Sequence, residues 1–134
     1  MYPVPGQPGN LAVSLVVSVS NAGADSTATA WRLDLESQGG SVRGFEPVHV
    51  NGVVELPGTS KTVDLGKEDL VLMTSQAPIS KGGSLDGVLT FVVPQSSEQN
   101  LTGSNVLLSF KDASGTAYQT PKIVLGRKVN RFVK

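Results

Sequence analysis

The run Leu11-Ala12-Val13-Ser14-Leu15-Val16-Val17-Ser18-Val19-Ser20 places apolar residues at every odd position and serine at three of the even ones. A period of two is the period of a β-strand, whose successive side chains point to opposite faces. One face of this strand is therefore expected to sit in a core, and Val16 is the large residue on the other. Asn21-Ala22-Gly23-Ala24-Asp25 supplies turn chemistry, after which Trp31, Leu33 and Leu35 alternate with Arg32, Asp34 and Glu36. This second strand puts Trp31 at the centre of the predicted core, a structural role.

Working outward, Val42 to Val54 is apolar but divided by Pro47 and by Asn51-Gly52. Asn-Gly is the strongest short hairpin signal, so a strand, a tight turn and a second short strand are expected there. Lys61 to Leu65 reads as a strand with Val63 and Leu65 facing inward, beyond Leu56-Pro57-Gly58. Leu70 to Met73 is too short for periodicity to separate a buried strand from a turn of helix. Gly87 introduces the β-branched run Val88 to Val93, which Pro94 stops, and Gln95 to Asn100 is a polar connection. Val106, Leu108 and Phe110 alternate, and the turn residues Asp112 to Gly115 lead into Ala117 to Leu125 as a hairpin. The sum is seven to nine short strands with no helical stripe, an all-β chain whose uneven connections favour a Greek-key β-sandwich.

The length of 134 residues suits one domain, placed at residues 10–126. Residues 1–9, Pro/Gly-rich, read as a linker, and 127–134 as a basic tail. A leader or anchor upstream, since removed, is the expectation for this opening. Eleven basic and eleven acidic residues cancel, which removes the net attraction nucleic-acid binders use. The longest apolar stretch falls short of the ~20 residues of a membrane-spanning helix.

Chemistry-bearing patterns are sparse. His49 is the only histidine, and it lies between Val48 and Val50, so strand parity turns it away from them toward solvent or a hydrogen-bond partner. With no cysteine and one histidine, a zinc set cannot be assembled, and no Gly-x-Ser-x-Gly elbow or phosphate-binding glycine loop occurs. Asp64, Glu68 and Asp69 are close enough in sequence to suggest calcium, but their spacing matches no EF-hand and a solvated loop explains them as well. No catalytic, cofactor-binding or metal residue is assigned. After Asp112 no acid occurs, while Lys122, Arg127, Lys128, Arg131 and Lys134 hold five of the eleven positive charges, a pattern that guards an exposed edge strand or attracts an acidic partner. Asn100-Leu101-Thr102 fits the glycosylation acceptor pattern.

The run Val13 to Val19, then Ser20-Asn21-Ala22-Gly23, the strand Trp31-Arg32-Leu33-Asp34-Leu35, and Gly87-Val88-Leu89-Thr90-Phe91-Val92-Val93-Pro94 together resemble bacterial immunoglobulin-like modules, loosely over residues 11–125. The Val42 to Val54 stretch departs from that pattern. The resemblance implies a domain outside the cytoplasm, secreted or membrane-tethered, serving as a spacer, adhesion or protein-interaction module, and it carries over no functional residue. A non-enzymatic module is the expectation, with a protein partner engaged through an exposed edge strand. The alternative is a carbohydrate-binding module, for which Tyr2, Tyr118 and Trp31 are the only Tyr or Trp available.

Overall fold

The computed structural model describes residues 1–4, 6–21, 26–55, 61–76, 78–125 and 131–132. The strands in chain order are β1 (Tyr2–Pro3), β2 (Leu11–Ser20), β3 (Thr29–Glu36), β4 (Val42–Phe45), β5 (Val53–Glu55), β6 (Thr62–Asp64), β7 (Ser84–Val93), β8 (Asn105–Lys111), β9 (Ala117–Gln119), β10 (Ile123–Val124) and β11 (Arg131–Phe132). Two short helices, α1 (Leu70–Gln76) and α2 (Glu98–Leu101), complete the elements. The chain is all-β, as its alternation requires. The eleven strand segments among the described residues exceed the seven to nine expected, because several span only two or three residues.

β1, β2 and β7 form a central sheet in that order, and the β2–β7 ladder runs antiparallel through ten pairs from Leu11↔Val93 to Ser20↔Ser84. A larger sheet has the order β10-β8-β3-β4, with β9 also paired to β8. Between these two sheets, Leu11, Val13, Val19, Leu89, Phe91 and Val93 meet Trp31, Leu33, Leu35, Val106 and Leu108, with Leu70 of α1 beside them. Each such side chain, fully buried, contributes about 1.5–3 kcal/mol. Trp31 is in this core as the alternation predicts, its ring 4.6 Å from that of Phe110.

The opposite face of the central sheet is also covered. Ala12 and Val88 point to that side, where they pack with Tyr2, Val54, Val63 and Leu65. Val54 and Val63 belong to a small sheet of order β11-β5-β6. The fold thus has three layers, and β7 lies in the middle one. This is why Val88 to Val93 reads as a continuous apolar run: a strand covered on both faces has no solvent side to alternate toward.

Two expectations are corrected here, and one open reading is decided. The opening residues are not simply a linker: Tyr2 pairs with Ala12 and Pro3 with Leu11, and Met1 and Tyr2 are buried. Pro3 is tolerated because β1 is an edge strand, where a missing N–H costs no ladder bond. Tyr2 is anchored by polar contacts as well as by its ring, since its hydroxyl lies 2.8 Å from Ser14 Oγ, which lies 2.9 Å from Thr90 Oγ1. Asn51-Gly52 does not close a hairpin. Val48 instead bridges to Thr90 of β7, and β5 pairs with β6, so long-range pairing overrides the local turn signal. Leu70 to Met73 is helical, because Asp69 caps it, accepting from the N–H groups of Val71 at 2.9 Å and Leu72 at 3.4 Å through Oδ1.

Other readings fall into place. Val63 and Leu65 face inward as expected, and β8 and β9 form the anticipated hairpin. The β9–β10 edge is interrupted at Pro121, where Leu108 N–H donates to the Thr120 hydroxyl at 3.1 Å. Asn100-Leu101-Thr102 falls on α2 and the turn after it, with Leu101 buried. The turn at residues 22–25 and the Leu56-Pro57-Gly58 break lie outside the described residues.

Candidate functional site

The polar cluster nearest to chemistry joins His49, Asp69 and Asn51. His49 precedes β5 and Asp69 precedes α1, so the two meet where the connection out of β4 crosses the start of the helix. His49 Nδ1 lies 2.6 Å from Asp69 Oδ2, and His49 Nε2 lies 3.2 Å from Asn51 Oδ1. Asp69 is almost fully buried, and its other oxygen is the helix cap already described. The Asp69 hydrogen bond is the main cause that raises the His49 pKa above its ordinary value, and Asn51 adds to it. Both ring nitrogens thus face acceptor oxygens, which favours the imidazolium, with both nitrogens donating. That leaves His49 no lone pair aimed at a substrate, and the arrangement acts as a clamp between the β4–β5 connection and the start of α1. Gly66 is part of it: a Cβ there would stand 2.7 Å from Asn51 Oδ1.

The acids of the calcium expectation do not converge. Asp64 Oδ1 accepts from the N–H groups of Gly66 at 3.1 Å and Lys67 at 3.0 Å, and Glu68 Oε2 accepts from Asp64 N–H at 2.8 Å. These oxygens cap a tight turn, and among the described residues no three His, Asp or Glu side chains gather at one point. The cleft beside them, lined by Asn51, Gly52, Val53, Asp64, Gly66 and Lys67, is shallow.

Of the aromatics a sugar-binding surface would need, Tyr2 and Trp31 are buried and Tyr118 is 47% exposed. Tyr118 stacks on Phe110 at 5.4 Å and donates its hydroxyl to Asp112 Oδ2 at 2.9 Å. Asp112 also accepts from Ser114 Oγ at 2.6 Å and from the N–H groups of Ser114 and Thr116, and the Ser114 bond leads the causes that hold its carboxyl below the usual carboxylate range. Of the basic C-terminal residues, Lys122 pairs with Glu36 at 3.4 Å across the solvent face of the larger sheet, and Arg131 lies in β11 opposite Glu55. Arg127, Lys128 and Lys134 lie outside the described residues.

Among the described residues, one strand edge has no strand partner over most of its length. β2 has β7 on one side for all ten residues, but β1 covers only Leu11 and Ala12 on the other. Val4 N–H donates to Asn10 O at 3.1 Å and Asn10 N–H to Gln7 O at 3.2 Å, so the backbone groups of Asn10 face the β1 side. By strand alternation, those of Ser14, Val16, Ser18 and Ser20 face that side too, while odd residues face β7. Asn21 N–H, which donates to Gly83 O at 2.9 Å, fits the same parity. The β1–β2 ladder ends at Ala12. Proteins usually block such edges with Lys, Pro or bulges, yet Val13 to Ser20 contains no charge and no proline. Val16 is 66% exposed, and Leu15 and Val17 are only half-buried. Alternation places these side chains correctly from sequence, but which edge lies open depends on long-range pairing that sequence does not display.

Comparison with family models, curated proteins and solved structures finds no match for this chain. No helix among the described residues is long and apolar enough to cross a membrane.

Proposed function

We propose that this chain is a non-enzymatic, immunoglobulin-like interaction module that works outside the cytoplasm as an adhesion or spacing element. It takes an extended segment of a protein partner along the open edge of β2. The observation that carries the proposal is that edge: uncharged, without a strand partner among the described residues, and presenting the N–H and C=O groups of Val16, Ser18 and Ser20 in strand geometry. An added strand would satisfy these groups, with alternate side chains giving specificity. Two facing antiparallel sheets around one core support the immunoglobulin-like reading, as does the chain's passage from β4 in one sheet to the Val48 bridge in the other. The small sheet is an addition to that plan, built by the stretch where the resemblance departs. The polar clusters support a non-enzymatic role, since those of His49 and Asp69, of Asp64 and Glu68, and of Asp112 are spent on a clamp, a cap and turns.

The test is selection from a displayed library of random octapeptides on the wild-type protein, counter-screened against Val16→Pro. Position 16 turns its N–H outward, so proline there spares the β2–β7 ladder while blocking an added strand. Expected hits lose binding in the variant and shift the backbone amide resonances of Val16, Ser18 and Ser20. Hits that bind Val16→Pro equally well, or no hits at all, overturn the proposal.

A further inference from the structure

We infer that the open edge of β2 pairs with β2 of a second copy of this chain, joining two central sheets into one across a two-fold axis. The inference rests on the edge reading above and names its occupant.

Three observations favour a second copy. The free groups are self-complementary: in an antiparallel pairing centred on Ser18, Ser18 faces its own copy, Val16 faces Ser20 and Ser20 faces Val16. Three of the four outward-facing residues beyond Ala12, namely Val16, Ser18 and Ser20, are then satisfied with about six hydrogen bonds across the axis, and Ser14 falls outside the paired stretch. The pairing is isologous and closes on itself, as a two-fold interface must. β2 itself carries no charge and the whole chain is balanced at eleven basic and eleven acidic residues; the carboxylate nearest the axis, Asp86 of β7, accepts from Ser18 Oγ at 2.6 Å, one strand back from the paired edge. On the core-facing side, the same register sets Val17 against Val19 of the copy, which extends the apolar layer where Val17 is half-buried. β1 ends beside Ala12, so it does not compete for the paired stretch.

The contact is small. Five residues of edge bury well under the ~800 Å² per partner of a standard interface, so association is expected to be weak and concentration-dependent.

Sedimentation velocity over a concentration series to roughly 1 mM reads the outcome, since that range resolves even weak affinities. The wild type is expected to move toward twice its 13.9 kDa mass, while Val16→Pro and Ser18→Glu stay monomeric. Ser18→Glu places like charges opposite each other across the axis; it also faces Asp86 of its own chain, so thermal melts check that both variants are folded, and Val16→Pro, which leaves that pair intact, decides. The register is tested by cysteine, because the chain has none of its own. Ser18→Cys is expected to cross-link under mild oxidation, its Cα about 5.5 Å from that of its copy. Ser20→Cys is expected not to, with its copy four residues along the strand, about 13 Å away. A wild type that stays monomeric throughout, a dimer indifferent to both β2 variants, or a Ser20→Cys cross-link in place of Ser18→Cys overturns self-pairing. If library peptides still bind the edge of a strictly monomeric protein, the interaction-module proposal stands and only the second copy is refuted; if neither binds, both fall.

Discussion

Truncating Tyr2 is the sharpest test of the three-layer arrangement, because a linker residue and a core residue differ by several kcal/mol. Tyr2 is 1% exposed and packs with Ala12, Val54, Val63, Leu65 and Val88. Tyr2→Ala removes the whole ring from this second core, and loss of a buried aromatic costs about 3–5 kcal/mol. Against a total stability of about 5–15 kcal/mol, that is a large share. At roughly 3–5 °C per kcal/mol for a chain of this length, Tm is expected to fall by about 10–20 °C. Tyr2→Phe keeps the ring and removes only the hydroxyl, leaving Ser14 and Thr90 to pair with each other at 2.9 Å. Its cost is therefore about 1 kcal/mol, that of one modest hydrogen bond. Calorimetry of the three proteins at one pH provides the comparison. If Tyr2→Ala melts within about 2 °C of wild type, the opening residues are a linker after all and the second core is wrongly drawn.

Three further outcomes are expected. The folded-state pKa of His49 is raised, so the clamp's contribution to stability is fully present below about pH 6.5 and is lost as pH climbs through the raised value. Tm against pH for wild type and His49→Ala should therefore converge as pH rises through that raised value, and parallel curves from pH 5 to 9 would show that the pair does not act this way. Gly87→Ala is expected to destabilise by about 1–3 kcal/mol, because its Cβ would stand 3.0 Å from both Glu68 O and Leu70 Cβ at the start of α1; denaturant unfolding measures it. Ala30→Gly is expected to leave stability unchanged or raise it by up to about 1 kcal/mol, since Ala30 holds φ at 55° in the β3 bulge, where an L side chain is strained; a loss greater than that would mean the backbone there is relaxed.

The strands that alternate cleanly were legible: Leu11 to Ser20, Trp31 to Glu36 and Asn105 to Lys111 face their cores as the period of two requires. Elements decided by distant partners were not. Asn51-Gly52 carries a strong local turn signal, but Val48 and Val53 find partners in different sheets, at Thr90 and at Asp64. The prolines and glycines before Asn10 hid the burial of Tyr2, because composition reports the backbone's freedom and not where one aromatic ring lands. The His49 clamp was half-legible. Parity turned the ring from its valine neighbours, but only the fold brings Asp69 to it across twenty residues. The open edge of β2 is a negative feature, an unmade pairing, and no residue announces it.

The unequal lengths of the ladders around β2 also determine how the molecule responds to force. β1 is held by two residue pairs and β2 to β7 by ten. A pull on the N-terminus therefore loads the two-pair ladder first, and it peels away while the ten-pair ladder still holds. The molecule that results keeps its main core and lengthens its bare edge back to Leu11, so tension would enlarge the surface on which another strand can grow.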